Sequence, residues 1–390
     1  MRSDIIYVGG YLDGEGGCSI LEENVPKYQI VKDYITNLII KNNINIDEPL
    51  PTESELMEKF GVSRHTIRKA LDDLENEGWL YRKQGLGTFC ADRNAVKSYD
   101  NKNIAVITTY INDYIFPRII KGIDQVLAKN GYSILLFNTN NRIETEMDIL
   151  ENILAKDIRG LIIEPTKSAL PHINLNYFDE LKNRGIPYIF INSFYEELNP
   201  SYIIQDDEGG GYMATEHLIK LGHRNIVGIF KSDDNQGLNR YKGYVKALRK
   251  NNIKIKEDNI IFYTTEEMKT KPKEKIYEIY SKWENKPTAI VSYNDQIAMW
   301  ILDPIRELGY NVPDDISIVS FDDSDYAELS NVKLTSIIHP KEEMGRLAAS
   351  TLFELIGKGK KAFNKPVNIC IKPEIRIRNS TGGIELEEVR

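Results

Sequence analysis

Residues 49–90, PLPTESELMEKFGVSRHTIRKALDDLENEGWLYRKQGLGTFC, constrain this chain more than any other stretch. They read as two helices meeting at a tight turn, with a β-hairpin behind them. Leu56, Met57 and Phe60 recur at helical spacing after Thr52, a residue able to cap the first turn. Gly61 closes the short turn that a helix-turn-helix requires. Ser63 then caps a second helix whose buried stripe is Ile67, Ala70, Leu71 and Leu74. The opposite face of its first turns carries Arg64, His65, Thr66, Arg68 and Lys69. Gly78 ends the helix, and residues 79–82 and 88–91 pair as strands around Gln84, Gly85, Leu86 and Gly87. The pattern predicts a winged helix-turn-helix, which lays the Arg64 end of the second helix in a DNA major groove.

The runs LPTESEL (50–56), GVSRHTIRKAL (61–71) and QGLGTF (84–89) resemble the GntR family of bacterial regulators over residues 26–92. That resemblance implies sequence-specific DNA binding, and the residue chemistry argues the same way. No acidic residue lies between Lys59 and Leu71, so Lys59, Arg64, His65, Arg68 and Lys69 are poorly placed to pair within the run. They are well placed to meet phosphates. Arginine can hold guanine O6 and N7 with two hydrogen bonds, which makes Arg64 and Arg68 the expected base readers, flanked by His65 and Thr66. Glu53 either stays a first-turn residue favoured by the helix dipole or accepts from a cytosine amino group. Gln84, at the wing tip, touches the minor groove or a phosphate, or simply fills the turn. One such helix reaches only a half-site, so a homodimer on a pseudo-palindromic operator is expected.

Length and charge bound the remainder. A chain of 390 residues should hold two or three domains at roughly 150 residues each. Its net charge of -8 argues against a diffuse coat of nucleic acid, so DNA affinity must come from a local patch. Cys18, Cys90 and Cys370 are far apart and have no CxxC spacing, which excludes a disulfide framework or a zinc finger and fits a reducing cytosol. No apolar run approaches the ~18 residues of a membrane helix, and Asp4 interrupts any signal-peptide pattern, so a cytoplasmic protein without membrane contact is expected. Residues 1–24 read as a flexible extension: their glycine cluster has no helix after it to make a phosphate loop. Residues 25–92 form the winged head, the polar residues 93–103 a linker, and 379–390 an exposed tail.

Between residues 104 and 378, β-rich runs alternate with helical ones. The strands fall at 104–109, 134–137, 160–164, 188–191, 226–230, 288–292 and 317–321, with helices such as 116–129, 208–221, 238–250 and 296–308 between them. Such alternation means parallel sheets with crossover helices on both faces. This many units exceed one comfortable open sheet, and two lobes with a ligand between them is the economical arrangement, because functional loops follow strand carboxyl ends. Those ends carry Glu164, Asn192, Ser193, Lys231, Asp233, Asp234, Arg240, Asn294, Asp295, Asp322, Asp323 and His339, with Tyr110, Tyr114, Phe116 and Tyr293 as aromatics. Carboxylates, carboxamides and cations suit hydroxyls that both donate and accept, and aromatic rings cover the C–H faces of a sugar.

The runs DEGG (207–210), TEHLIKLGHR (215–224), RYKGY (240–244), YND (293–295), VPDDISIV (312–319) and LTSI (334–337) resemble the LacI/GalR effector domain. The architecture thus implied is α/β: a small winged helix-turn-helix domain followed by a two-lobed, periplasmic-binding-protein-like domain with parallel sheets. The resemblance also implies that Arg240 and Asp295 clamp the ligand, as a buried pair sharing a sugar's hydroxyls. Glu164, Asn192, Lys231, Asp323 and His339 follow as further sugar contacts, with Tyr114 or Phe116 against the ring. Asp207 either caps the helix after it or touches ligand. A GntR-type head on a LacI-type body further resembles the arabinose-responsive repressors of Gram-positive bacteria, which implies L-arabinose as the effector that releases operator DNA.

Two alternatives stand beside this reading. The same architecture can answer another neutral sugar or a phosphosugar. A phosphate wants a helix amino terminus with neighbouring Lys or Arg, whereas the strand-end residues are mostly acidic or neutral. A sugar-processing enzyme would need a metal cluster, a phosphate loop or a nucleophile–base pair, and no HxxxH, GxxxxGKS/T or GxSxG occurs among residues that include only five histidines. No cofactor or metal is expected.

Overall fold

A computed structural model describes residues 26–40, 44–83, 86–91, 102–111 and 115–384. Gln84, Tyr114, the extension 1–24 and most of the linker lie outside the described residues. The chain divides into two compact units, Met1–Asp100 and Asn101–Arg390.

The first unit is built from helices α1 (Lys27–Ile40), α2 (Glu53–Phe60) and α3 (Arg64–Asn76) and strands β1 (Leu80–Lys83) and β2 (Gly87–Cys90). Thr52 caps α2 through a reciprocal pair with Glu55, whose carboxylate accepts from the Thr52 N–H at 2.7 Å. Gly61 takes the left-handed conformation (φ 58°), and its N–H closes on Met57 O at 2.9 Å. A side chain there would be strained, and the turn between α2 and α3 depends on its absence. Leu56, Ile67, Ala70, Leu71 and Leu74 are buried together with Val31 and Ile35 of α1. β1 and β2 pair antiparallel, Leu80 opposite Cys90 and Lys83 opposite Gly87. The result is a winged helix-turn-helix.

The second unit has two lobes. The first collects β3 (Asn103–Thr108), α4 (Phe116–Lys129), β4 (Ser133–Asn138), α5 (Ile143–Ala155), β5 (Gly160–Ile163), α6 (Leu175–Arg184), β6 (Tyr188–Ile191) and β7 (Ser201–Gln205). The second follows with α7 (Asp207–Lys220), β8 (Ile226–Lys231), α8 (Asn235–Lys250), β9 (Ile260–Tyr263), α9 (Lys271–Lys282), β10 (Ala289–Val291), α10 (Asp295–Glu307), β11 (Ser317–Asp322), α11 (Asp325–Leu329) and β12 (Thr335–Ile338). The chain returns to the first lobe as α12 (Lys341–Lys358) and β13 (Asn368–Ile371), then enters the second again as β14 (Ile375–Arg376). The sheets run β13-β7-β6-β5-β3-β4 and β14-β12-β11-β10-β8-β9, parallel except where β14 meets β12. Strands β5, β6, β8 and β11 are buried along their whole length, as sheets covered on both faces require.

Where the chain passes between lobes, the crossing segments bond to one another. Gln205 Nε2 donates to Ile338 O at 2.7 Å, Asp206 N to Ile371 O at 2.9 Å and Ile338 N to Glu374 O at 2.8 Å. At the opposite edge the lobes meet directly. Asn235 N donates to Ser168 Oγ at 3.0 Å, Asn141 Nδ2 to Thr265 Oγ1 at 2.6 Å, and Lys167 pairs with Glu266 at 2.5 Å. The lobes are therefore closed on each other, with a cleft between hinge and seam.

Two expectations are corrected. Residues 379–384 are not a free tail but are docked on the second lobe: Asn379, Gly383 and Ile384 are exposed, but Ser380 is fully buried, its hydroxyl donating to Ile318 O at 2.6 Å and accepting from Thr335 N at 2.8 Å. The hydroxyls of Ser380 and Thr381 serve groups at the sheet end instead of solvent. Asp207 is not the helix cap either, because Asp206 caps α7 by accepting from Gly209 N at 2.8 Å.

Glycines set the closest helix approach in each lobe. A Cβ on Gly122 would lie 2.2 Å from Glu342 O, and one on Gly345 would lie 2.1 Å from Ile119 O, so α4 and α12 pack backbone to backbone. In the second lobe a Cβ on Gly211 would lie 2.1 Å from Arg240 O. Gly211→Ala must therefore push α8 from α7, and a loss of about 1–3 kcal/mol is expected in urea unfolding of the full chain. Gly357→Ala, which would meet nothing within 4 Å, should be neutral or gain up to about 1 kcal/mol.

Candidate functional site

Strand ends from both sheets converge on the cleft, which holds about 700 Å³ of space open to solvent at its mouth. Thr109, Phe116, Glu164 and Ser193 line it from the first lobe, and Lys231, Asp234, Gln236, Arg240, Tyr293 and Asp322 from the second. Phe116, Ile115 and Met268 supply apolar surface beside these polar groups.

Arg240 is the deepest cation, 2% exposed. Its Nε donates to Asp207 Oδ1 at 2.8 Å and its Nη1 to Tyr293 O at 2.6 Å, while Nη2 stands 3.7 Å from Asp322 Oδ1. The guanidinium also lies over Phe321 and Tyr293, 4.3 and 4.8 Å from the ring centroids. Burial opposes its charge, but Asp207 and Asp322 more than offset that and hold it firmly protonated. Burial pushes the Asp207 carboxyl up to about 6, against the pull of Arg240.

Lys231, at the end of β8, is treated alike. Asp234 Oδ2 lies 3.2 Å and Asp233 Oδ1 3.6 Å from its ammonium, and the two carboxylates outweigh desolvation and raise its pKa. Asp234 also caps α8 by accepting from Gly237 N at 2.6 Å, and takes a hydrogen bond from Tyr293 Oη at 2.7 Å. Across the cleft, Glu164 accepts from the Thr109 N–H at 3.1 Å, from the Thr109 hydroxyl, and from Asn192 Nδ2 at 2.7 Å. Burial drives its carboxyl up to about 7, while these donors and Lys231 oppose the rise.

Of the sugar contacts expected from sequence, Phe116, Glu164, Lys231 and Arg240 are brought together at the cleft, and four others are not. Asp295 does not pair with Arg240. It is fully buried behind the cleft wall, where it accepts from Ser320 Oγ (2.5 Å), Ser324 N (2.7 Å), Ser324 Oγ (2.8 Å) and Ser336 Oγ (2.8 Å). Its carboxylate ties β11 and the loop after it to β12, and Asp207 and Asp322 take the place expected for it. Asp323 is likewise spent on Arg376 (2.6 Å) and Arg378 (2.5 Å). Its neighbour Asp322 lines the cleft, because the chain turns through two successive positive φ values, 96° and 47°, at this strand end. Asn192 and His339 bond to each other at 2.9 Å and do not line the cleft. Asp234, Tyr293 and Asp322, which the sequence places at strand ends, line the cleft as well, and so does Gln236, which the sequence does not single out but which lies two residues beyond Asp234.

On the winged head, Arg64, His65 and Arg68 are exposed and Thr66 is half-buried along the first turns of α3. The side chains of Arg64 and Arg68 are 60% and 58% exposed. Glu53 lies between them: Arg68 Nε reaches its two carboxylate oxygens at 3.1 and 3.2 Å, and Arg64 Nε stands at 3.8 Å. The run that lacks acids of its own is thus met by one from α2. An exposed pair of this kind is worth about 0–1 kcal/mol and can be exchanged for a base edge. Lys59 and Lys69 sit over the rings of Tyr34 and Tyr28, 4.1 and 4.0 Å from the centroids.

A winged helix with exposed arginines, carried on a chain with a polar two-lobed cleft, defines a DNA-binding regulator that answers a small ligand. Residues 27–90 match the gntR family of bacterial regulatory proteins, and residues 215–381 the periplasmic binding protein-like domain. Arabinose metabolism transcriptional repressors of Halalkalibacterium halodurans and Geobacillus stearothermophilus are each 45% identical to this chain, over 93% and 92% of it and 98% and 99% of their own lengths. The chain belongs to the arabinose metabolism transcriptional repressors. Among solved structures, transcription regulator CcpA of Lactococcus lactis aligns with TM-score 0.63 at 25% identity, covering 72% of this chain and all of that one. A LacI family regulator of Enterococcus faecium with bound ribose aligns with TM-score 0.61 at 25% identity over 73% of this chain and all of that one.

The pairing around Arg240 yields a stability test. Asp207→Ala leaves a buried guanidinium short of its nearest carboxylate, and a loss of about 3–5 kcal/mol is expected from urea unfolding. A loss below about 1 kcal/mol would mean that Asp322 alone suffices to hold the cation.

Proposed function

We propose that the cleft binds L-arabinose as an uncharged ring and that this binding releases a homodimer of the chain from a pseudo-palindromic operator. The carrying observation is the charge of the cleft. Both its cations, Lys231 and Arg240, are already paired with carboxylates, and Glu164 adds a further acid on the facing wall. Among the described residues of the cleft no cation is left over to balance a phosphate, whereas acceptors and donors beside Phe116 suit hydroxyls on a ring with apolar faces. The bound ribose of the Enterococcus faecium regulator and the arabinose metabolism of the relatives favour a neutral pentose. The chain then acts as a cytoplasmic regulator and not as a catalyst.

Calorimetry with L-arabinose, D-xylose, D-ribose and a pentose phosphate tests the ligand. L-arabinose should bind most tightly, and Glu164→Ala should weaken it by one or more tenfold steps, each about 1.4 kcal/mol. Tighter binding of the phosphosugar would overturn the neutral-sugar reading. Footprinting of operator DNA tests the response: saturating arabinose should weaken protection by a coupling of about 1–3 kcal/mol, and DNA must weaken sugar binding equally. Protection that strengthens with sugar would make arabinose a corepressor.

The DNA face is tested separately. Arg68→Ala should cost roughly 1–3 kcal/mol on the operator and relax selection at one base position, whereas Lys59→Ala should weaken specific and random DNA alike. Unchanged operator affinity of Arg68→Ala in a gel-shift titration at fixed salt would remove α3 as the reading helix.

A further inference from the structure

The geometry points to Asn192 and His339 as a relay that carries occupancy of the cleft to the crossover between β12 and α12, and not as ligand contacts. This rests on the cleft being the effector site. On one side the connection runs through side chains: Glu164 Oε1 accepts from Asn192 Nδ2 at 2.7 Å, and Asn192 Oδ1 meets His339 Nε2 at 2.9 Å. Because the amide nitrogen is committed to the carboxylate, its oxygen is the acceptor, and His339 must carry its proton on Nε2. The ring is buried, and that burial, with Lys341 and Arg240 nearby, holds its pKa well below the usual imidazole value and keeps it neutral. Its Nδ1 meets no partner among the described residues. Each member therefore has a single orientation, set at one end by a residue that lines the cleft.

On the other side the same crossover holds the loop that carries Asp322. His339 N approaches Asp322 O at 3.4 Å. The buried Lys341 ammonium donates to the backbone oxygens of Asp322, Asp323 (3.1 Å) and His339 (3.3 Å). Glu164 lines the cleft from the first lobe, and Asp322 lines it, with Asp234, from the second. A ligand that engages both acts on both ends of one segment, residues 338–341. That segment runs straight into α12, which is packed on α4 through Gly122 and Gly345 without room to absorb a shift. Buried hydrogen-bonded chains transmit such a displacement because breaking one link strands a polar atom.

If these residues only satisfied the core, their loss would lower stability and leave the response to sugar intact. The test is operator affinity of the full chain by fluorescence anisotropy, without sugar and at saturating L-arabinose. The wild type should weaken by roughly 5–150-fold on adding sugar. His339→Leu should hold its sugar-free affinity within about twofold while its response to sugar shrinks to under a third of the wild-type fold-change. His339→Gln, whose amide can donate to Asn192 in place of Nε2, should restore the response. Asn192→Gly disconnects the relay at a residue of φ 64°, where glycine is unstrained, and decides the matter if His339→Leu does not fold. Wild-type responses in both His339→Leu and Asn192→Gly would overturn the relay alone. A wild type indifferent to arabinose would overturn the effector reading and the relay with it.

Discussion

A guanidinium that is 2% exposed must be surrounded by acceptors, and the second lobe is arranged around that requirement at Arg240. Asp207 comes from the first turn of α7, Tyr293 O from the loop after β10, and Asp322 from the end of β11. The rings of Phe321 and Tyr293 cover its faces. The approach of α8 that places Arg240 there depends on Gly211, which lets the α7 backbone meet the Arg240 carbonyl. Stability and recognition thus share a residue: the pairs that keep the cation buried also leave Asp322 at the cleft surface.

The same chemistry explains why part of the site was legible and part was not. Runs of buried strand and glycine-terminated helices made the alternating α/β body and the winged head readable, and helix 116–129 is found as expected at α4. Strand ends located the cleft because parallel sheets place their functional loops there. Which residue at a strand end faces inward depends on backbone angles that composition does not reveal. The positive φ at Asp322 and Asp323 assigns the first to the cleft and the second to Arg376 and Arg378. Asp295 was misread for a similar reason: its partners Ser320, Ser324 and Ser336 become neighbours only when β11 and β12 pair. Short polar side chains from separate strands carry no recognisable spacing. The tail at 379–384 escaped notice because serine and threonine suit both solvent and a backbone edge.

Closure is held by small polar groups at the seam and by bonded crossing segments at the hinge. Seam contacts such as Lys167 with Glu266 can exchange for water at little cost, since the glutamate is largely exposed. Hinge contacts such as Gln205 with Ile338 O are buried in part and lose a partner if they open. The balance favours lobes that separate at the seam while the hinge keeps its bonds, which is the mechanical condition for a hinge motion that a ligand can bias. A ligand shifts such an equilibrium only by as much as it binds the closed form better, and only contacts made to both walls contribute to that difference.

Arginine serves two opposite ends in this chain, and burial separates them. At Arg240 the cation is permanently matched, so it contributes shape and hydrogen bonds to the cleft without attracting an anion. At Arg64 and Arg68 the guanidinium groups are exposed and share one glutamate, an arrangement weak enough to be exchanged for guanine and phosphate. Glu53 thus stands in a place that neither sequence alternative anticipated, paired with both arginines from a neighbouring helix. Orientation lowers the side-chain entropy lost on docking, at the expense of breaking a pair of small net value.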